Sequence, residues 1–192
     1  MTFLAQVLKD EVRERIYEAA LDVFFHKDFK SATMREIAKK AGVPTGLTYS
    51  YFKNKEVLFD EIVRSVLLKF PDMLTQAVEA PGQAFDKFVS IEKEFLLSLF
   101  DKHREFIILM DKSAGTSHCN AKEKMIQLIE EHIKIGLKKR NAKEYDDLLA
   151  HILASNFTES LLEIARHYKS REWAEEMLDL ISRQHFLGSN SL

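Results

Sequence analysis

An all-α fold is predicted by three properties of this 192-residue chain. Its six glycines and three prolines amount to under 5% of the residues, against a usual share of about 12%, which leaves little of the turn chemistry that hairpins and sheets need. Leu, Glu, Lys, Ala and Ile are abundant. Apolar residues also recur at steps of three and four along most of the length, the period of an amphipathic helix. All-β, collagen-like and disordered classes are thereby excluded. The length allows either one compact domain or a small domain joined to a larger one.

The first helix is predicted over Leu8 to His26, where Leu8, Val12, Ile16, Ala19, Ala20, Val23 and Phe24 line one face and Arg13, Glu14 and Glu18 the other. A basic, polar link from Lys27 to Ser31 follows. Thr33-Met34-Arg35-Glu36 then has the spacing of a capping box, so a second helix should begin at Met34. It must be short, because Gly42 supplies the left-handed residue that stops a helix. Pro44 suits the first turn of a third helix running to Tyr51 or Phe52, since its missing N–H costs nothing there. Asn54 reads as the N-cap of a longer fourth helix through Val57, Leu58, Ile62, Val63, Val66 and Leu67, within which the domain hinge is placed. Pro71 can kink that helix, and Pro81-Gly82 should end any helix reaching it. Further helices are predicted near Gln83 to Phe100, Lys102 to Lys112, Ala121 to Arg140, Glu144 to Lys169 and Arg171 to Phe186. A loop should span Ser113 to Asn120, and the tail from Gly188 to Leu192 should fray.

The formal charge of −2 conceals an uneven distribution. Lys27, Lys30, Arg35, Lys39, Lys40, Lys53 and Lys55 stand against only Asp28 and Glu36 between residues 27 and 55, a local balance of +5, whereas residues 70–192 carry −4. A near-neutral total excludes a protein that coats nucleic acid by bulk attraction, so a nucleic-acid site must be local. That asymmetry fits a nucleic-acid reader joined to a domain with another task, although a charge run alone also fits a solvated helix surface. Two short helices about a Gly-containing turn form a helix-turn-helix, whose second helix can enter a major groove. Here that helix carries Thr45, Gly46, Leu47, Thr48, Tyr49, Ser50 and Tyr51. Hydroxyls can reach phosphates or base edges, Gly46 permits close backbone approach, Leu47 can touch a thymine methyl, and Lys55 offers a phosphate-neutralising charge.

At these positions the chain resembles the TetR family of transcriptional regulators. The resemblance rests on Ile16-Tyr17-Glu18-Ala19-Ala20 with Phe24, on Thr33-Met34-Arg35-Glu36-Ile37-Ala38 with Ala41-Gly42-Val43, and on Gly46 through Tyr49-Ser50-Tyr51-Phe52-Lys53-Asn54-Lys55-Glu56. It covers about the first 60 residues. It implies a helix-turn-helix DNA-binding domain over residues 1–55 and a helical effector-binding and dimerisation domain over residues 56–192, joined by the long fourth helix. It further implies a dimer on a palindromic double-stranded operator, repressing until a small molecule occupies the C-terminal domain. By this similarity Thr33, Pro44, Thr45, Gly46, Leu47, Tyr49, Ser50, Tyr51 and Lys55 match positions that commonly face DNA. One position departs: Thr48 stands where the family usually has Leu or Ile pointing into the small core. A buried threonine can bond back to the carbonyl four residues earlier. Tyr49 and Tyr51 can equally serve packing.

Beyond the hinge, Phe88, Phe95, His103, Phe106, Met110 and Phe157 are candidate lining residues of an apolar pocket, which would favour a lipophilic or aromatic effector; an ordinary core would look the same. The last two long helices carry more apolar surface than one intramolecular face needs, through Leu148, Leu149, Ile152, Leu153, Trp173, Met177 and Leu178 among others. Pairing with their copies about a two-fold axis would make a four-helix bundle and a homodimer.

The alternatives are a small enzyme or a helical protein-interaction module that never touches DNA. No HExxH, phosphate-binding loop, CxxC or GxSxG motif occurs, so neither catalysis nor a cofactor is expected. His118-Cys119 with His103 lacks a third ligand at recognisable spacing, so no metal site is expected. His132, His151, His167 and His185 read as surface or interface residues, with His167 four positions from a partner in Glu163. The single cysteine and the absence of an export signal or a long apolar run lead to the expectation of a cytoplasmic protein without a membrane partner.

Overall fold

The computed structural model describes residues 2–67, 93–139 and 146–190. Among these residues there are nine helices and no strand: α1 (Thr2–His26), α2 (Met34–Ala41), α3 (Thr45–Tyr51), α4 (Lys55–Leu67), α5 (Lys93–Phe100), α6 (His103–Asp111), α7 (Ala121–Lys139), α8 (Asp147–Arg166) and α9 (Arg171–Asn190).

Local chemistry fixes the first three helix junctions. The Thr33 hydroxyl accepts the Glu36 N–H at 3.2 Å while the Glu36 carboxylate accepts the Thr33 N–H at 3.1 Å, closing the capping box. Gly42 takes φ 68°, and the Val43 N–H then reaches back to the Ala38 carbonyl at 3.0 Å, the six-to-one bond of a Schellman stop. Asn54 caps α4 by accepting the Val57 N–H at 2.8 Å.

Several boundaries differ from those the sequence predicts. Helix α1 begins well before Leu8, which is itself exposed. Helix α8 starts at Asp147 rather than Glu144, because the Asp146 carboxylate caps it by accepting the Leu148 N–H at 2.8 Å. It stops at Arg166, short of Lys169; Ser170 then caps α9 by accepting the Trp173 N–H at 3.2 Å. The predicted fraying tail is instead helical through Asn190, a glycine inside a helix costing only about 1 kcal/mol relative to alanine. Pro71, Pro81-Gly82 and the early part of the predicted Gln83 helix lie outside the described residues.

One apolar core runs through both ends of the chain. Phe24, Phe29 and Phe59 form an edge-and-stack trio with ring centroids 5.3–6.1 Å apart, locking α1 and the α1–α2 turn onto α4. Helix α6 packs on α1, α4 and α8, so its buried residues Phe106, Ile107, Ile108, Leu109 and Met110 are common to the N-terminal helices and the C-terminal bundle. Between α2 and α3 the core is thinner. Thr48 is fully buried there, yet its hydroxyl lacks the bond to the Pro44 carbonyl that a buried threonine can make; it has no hydrogen-bond partner.

Replacing Thr48 with Val keeps the shape and deletes the unpaired hydroxyl, so Thr48→Val should raise stability by about 1 kcal/mol. A urea midpoint that rises with an unchanged slope checks this, and an unchanged or lower midpoint refutes it.

Candidate nucleic-acid interface and effector domain

Helix α3 owes its presentation to its two ends. Pro44 at φ −59° leads into it, the Leu47 and Thr48 N–H groups bond the Pro44 carbonyl, and the Phe52 N–H closes the last turn on Thr48. Thr48 is the buried residue of the helix. Its face toward α2 is therefore fixed, and Gly46, Leu47, Tyr49 and Ser50 are turned to solvent together with Pro44, while Thr45 and Tyr51 are half-buried. Leu47 at 38% and Tyr49 at 50% exposure are large side chains that the small core does not use. The predicted α3 residues Gly46, Leu47, Tyr49 and Ser50 are thus exposed on one short helix.

Two candidates from the flanks are engaged within the protein. Thr33 is exposed, but its hydroxyl and N–H both serve the capping box with Glu36. Lys55, predicted as a phosphate-neutralising charge, also has partners within the protein. Its Nζ donates to the carbonyls of Phe29 at 2.6 Å and Ala32 at 2.8 Å and lies 4.2 Å from the Phe29 ring centre, because the α1–α2 turn presents otherwise unsatisfied carbonyls beside the start of α4. Around α3, Arg35, Lys39 and Lys53 stand exposed. Sequence reasoning passed over these three as individual sites, although they were part of the basic run that revealed the region.

In the C-terminal part, Phe106, Met110 and Phe157 are buried, whereas Phe95 and His103 are half-buried. Phe88 lies outside the described residues. The His103 ring stacks on Tyr168 at 4.4 Å and its Nδ1 is 3.2 Å from the Phe100 carbonyl. Burial holds its pKa below the ordinary histidine value. His185, read from sequence as a surface or interface residue, is instead mostly covered and stacks on Phe157 at 4.5 Å, because its position on α9 faces α8. Burial first, and the charge of His132 second, push its pKa down to about 4. Thr158 and Ser182, on the same two helices, are fully buried with unpartnered hydroxyls. Polar side chains therefore enter this otherwise apolar region, a signal that the sequence pattern of single hydroxyls did not carry.

The remaining histidine candidates do not gather. His118 pairs with Asp60 at 2.9 Å and stacks on Phe59, at the opposite end of α6 from His103, and Cys119 is exposed. His167 pairs with Glu163 at 3.3 Å and His151 with Glu130 at 3.0 Å. Among the described residues no group of three or more His, Cys, Asp or Glu side chains could hold a metal ion, and no helix is long and apolar enough to cross a membrane.

Comparison with known proteins places these features. The family model of bacterial regulatory proteins, tetR family, matches residues 16–62, from α1 into α4. An uncharacterized HTH-type transcriptional regulator of Bacillus subtilis, YhgD, is 32% identical over 130 residues, covering 67% of this chain and 66% of its own. The HTH-type transcriptional repressor KstR2 of Mycolicibacterium smegmatis is 24% identical over 105 residues, covering 55% and 51%. The chain thus spans between half and two thirds of the length of these relatives. The solved structure of the transcriptional regulator FadR from Bacillus subtilis, in complex with stearoyl-CoA, shares the fold over 91% of this chain and 98% of its own, with a TM-score of 0.60 at 18% identity. All three are regulators by name.

Because His185 is neutral in the folded protein but protonates below about 6.5 once unfolded, the unfolded state binds the extra proton as pH falls from 6.5 to 4 and stability is lost through that window. The loss attributable to this group should approach about 3.5 kcal/mol at most, from about 1.4 kcal/mol per pKa unit. Urea midpoints at pH 7 and pH 4.5 check it: His185→Leu should fall less steeply than wild type, and parallel slopes would contradict the assignment.

Proposed function

The chain belongs to the tetR family of bacterial regulatory proteins, and from that premise we propose that it is a transcriptional repressor that grips a palindromic operator as a homodimer and is released by a small lipophilic or aromatic effector. In this reading residues 1–55 bind DNA and residues 56–192 bind the effector and the second copy.

The observation that carries the proposal is α3 itself. One buried residue pins it, and its outward side offers Thr45, Leu47, Tyr49 and Ser50, polar and apolar groups suited to base edges and thymine methyls, with Gly46 allowing close approach. Arg35, Lys39 and Lys53 flank this face with exposed charge for phosphates. Lys55 contributes differently, by holding the carbonyls of the α1–α2 turn and so fixing the angle at which α2 and Thr33 meet the backbone. Tyr51, half-buried, serves the packing of α3 as well as its outer edge.

The dimer is supported by α8 and α9, on which Leu148, Ile152 and Leu180 are 60%, 45% and 56% exposed and Trp173 and Met177 are only partly covered. Apolar side chains in such number along two adjacent helices favour a partner surface. A two-fold axis there would set two copies of α3 about one DNA turn, roughly 34 Å, or a multiple of it apart. The effector reading rests on the apolar character of Phe95, Phe106, Met110 and Phe157, with His103 as a polar handle, and on Thr158, Ser182 and the neutral His185 as interior groups able to hydrogen-bond without carrying charge. Such a lining suits an uncharged polar group on an apolar body and leaves an ionised head unpaired. The FadR neighbour from Bacillus subtilis was solved in complex with stearoyl-CoA, which supports an effector with a long apolar body.

Selection of bound duplexes from a random pool tests the proposal, and recovery of no enriched palindrome would overturn it. With the selected site, Thr45→Ala should change base preference at one position by about 1–3 kcal/mol, whereas Lys53→Ala should weaken all sequences alike and reduce the slope of log affinity against log salt by about 0.9. The molar mass in solution should be that of two chains. Leu148→Glu combined with Leu180→Glu should give folded monomers that bind one half-site only; retention of the dimer would move its interface elsewhere.

A further inference from the structure

Where α1, α2 and α6 converge, the chain has a cleft of about 360 Å³ lined by Arg15, Glu18, Ala19, Asp22, Lys40, Ala41 and Arg104. At this corner ionic contacts join α1 to α2 and α6. Asp22, on α1, is the hub. It takes Lys40 from the end of α2 in an ion pair, and it accepts from Arg104 Nη2 of α6 at 3.3 Å. The Arg104 guanidinium also lies 5.5 Å from the Phe25 ring centre, which fixes its plane against α1. Alongside, Arg15 Nη2 donates to the carbonyls of Ala41 at 2.5 Å and Gly42 at 3.1 Å, the last carbonyls of α2 and of the turn into α3. A β-carbon at Gly42 would come within 3.0 Å of that same Arg15 nitrogen. The turn on which α3 depends is thus held by two α1 side chains about two turns apart, Arg15 directly and Asp22 through Lys40, and one of them is also tied to α6.

We propose that Asp22 is a positioning residue that couples the C-terminal domain to the helix-turn-helix through Arg104 on one side and Lys40 on the other, so that movement of α6 re-aims α2 and α3. The coupling rests on the proposed DNA-binding function and on Arg104 lying between His103 and the buried run from Glu105 to Met110, where α6 meets the effector region. Movement of α6 by a bound molecule draws Arg104 from Asp22 or presses it closer, and the carboxylate redistributes its attraction between Arg104 and Lys40. The open cleft lets that rearrangement occur without breaking apolar packing. Both α1 and α4 pack on α6 and connect the two halves; Asp22 sets the angle of the reading head about them. Neither Asp22 nor Arg104 belongs to the face offered to DNA.

The experiment uses the full chain and its Arg104→Met, Asp22→Asn and doubly substituted variants. Two readouts are taken: amide hydrogen exchange at Gly42 and Val43, corrected for global stability, and affinity for duplexes with one half-site, two half-sites at the selected spacing, or two half-sites moved two base pairs further apart. Exchange at Gly42 and Val43 should quicken at least about threefold in Asp22→Asn, slow at least about threefold in Arg104→Met as the carboxylate turns wholly to Lys40, and match Asp22→Asn in the double variant, the size expected of a partly exposed ion-pair network. Affinity for one half-site should stay within about twofold of wild type while preference for the selected spacing falls at least about threefold. Arg104→Lys, which keeps a cation in reach, should restore much of both. Unchanged exchange in both single variants overturns the coupling whether or not DNA is bound, as does an unchanged spacing preference. A wild type that enriches no duplex overturns the function proposed above, and the exchange measurement then decides on Asp22 alone.

Discussion

The structure depends on α6 being buried on every side. From Glu105 to Met110 six consecutive residues are buried, which no helix on the surface of a domain can show, since one face would meet water. A helix of nine residues is intrinsically marginal, so α6 exists because α1, α4 and α8 enclose it. Its ends are tied too: Arg104 in the first turn reaches Asp22, and the Lys112 carbonyl just past the last turn accepts the Phe29 N–H at 3.0 Å. Arg166 adds a bidentate grip on Asp111 from α8, both bonds at 2.9 Å. The helix-turn-helix is therefore no bead on a string. Behind it, α1 shares the side chains of α6 with the interior of the C-terminal bundle.

What could be read from the sequence was chemistry of short range. A capping box closes between residues three apart, a glycine stop within six, an asparagine cap within three, and each of these signals named a boundary that the structure has. The recognition helix was legible for the same reason, its ends and its single inward residue being set by neighbours in the chain. Long-range pairing was not legible. Asp22 and Arg104 are 82 residues apart and Lys55 and Phe29 are 26 apart, and nothing in either local pattern says that they meet. His185 continues the inward stripe of α9, seven positions after Leu178 and four after Ile181, so its covering follows the helical period; what no local pattern says is that α8 brings Phe157 against it. Thr48 is a further case: its burial follows from the pattern, but whether its hydroxyl finds the Pro44 carbonyl depends on the rotamer that the packed core allows.

Those long-range pairings also change what the basic run means. Of the seven bases between residues 27 and 55, Lys27 is paired with Glu36, Lys40 with Asp22, and Lys55 with two carbonyls. Lys30 lays its stem against Gly115, leaving its head outward. The charge available to a phosphate backbone is thus smaller than the local balance of +5 suggests, and it is concentrated in Arg35, Lys39 and Lys53 beside α3. Few phosphate contacts mean weak binding to arbitrary DNA, because sequence-independent affinity grows with the number of counterions released. On the proposed function, a head of this kind gains its affinity from contacts that only one sequence satisfies, and from two copies engaging at once. For such a reader the relative placement of the two heads governs occupancy more strongly than charge does, since losing one head removes half of an already small set of contacts. Lys40 and Lys55 instead brace α2 and the α1–α2 turn from behind, so on the proposed function the basic run divides into residues offered to DNA and residues that aim them.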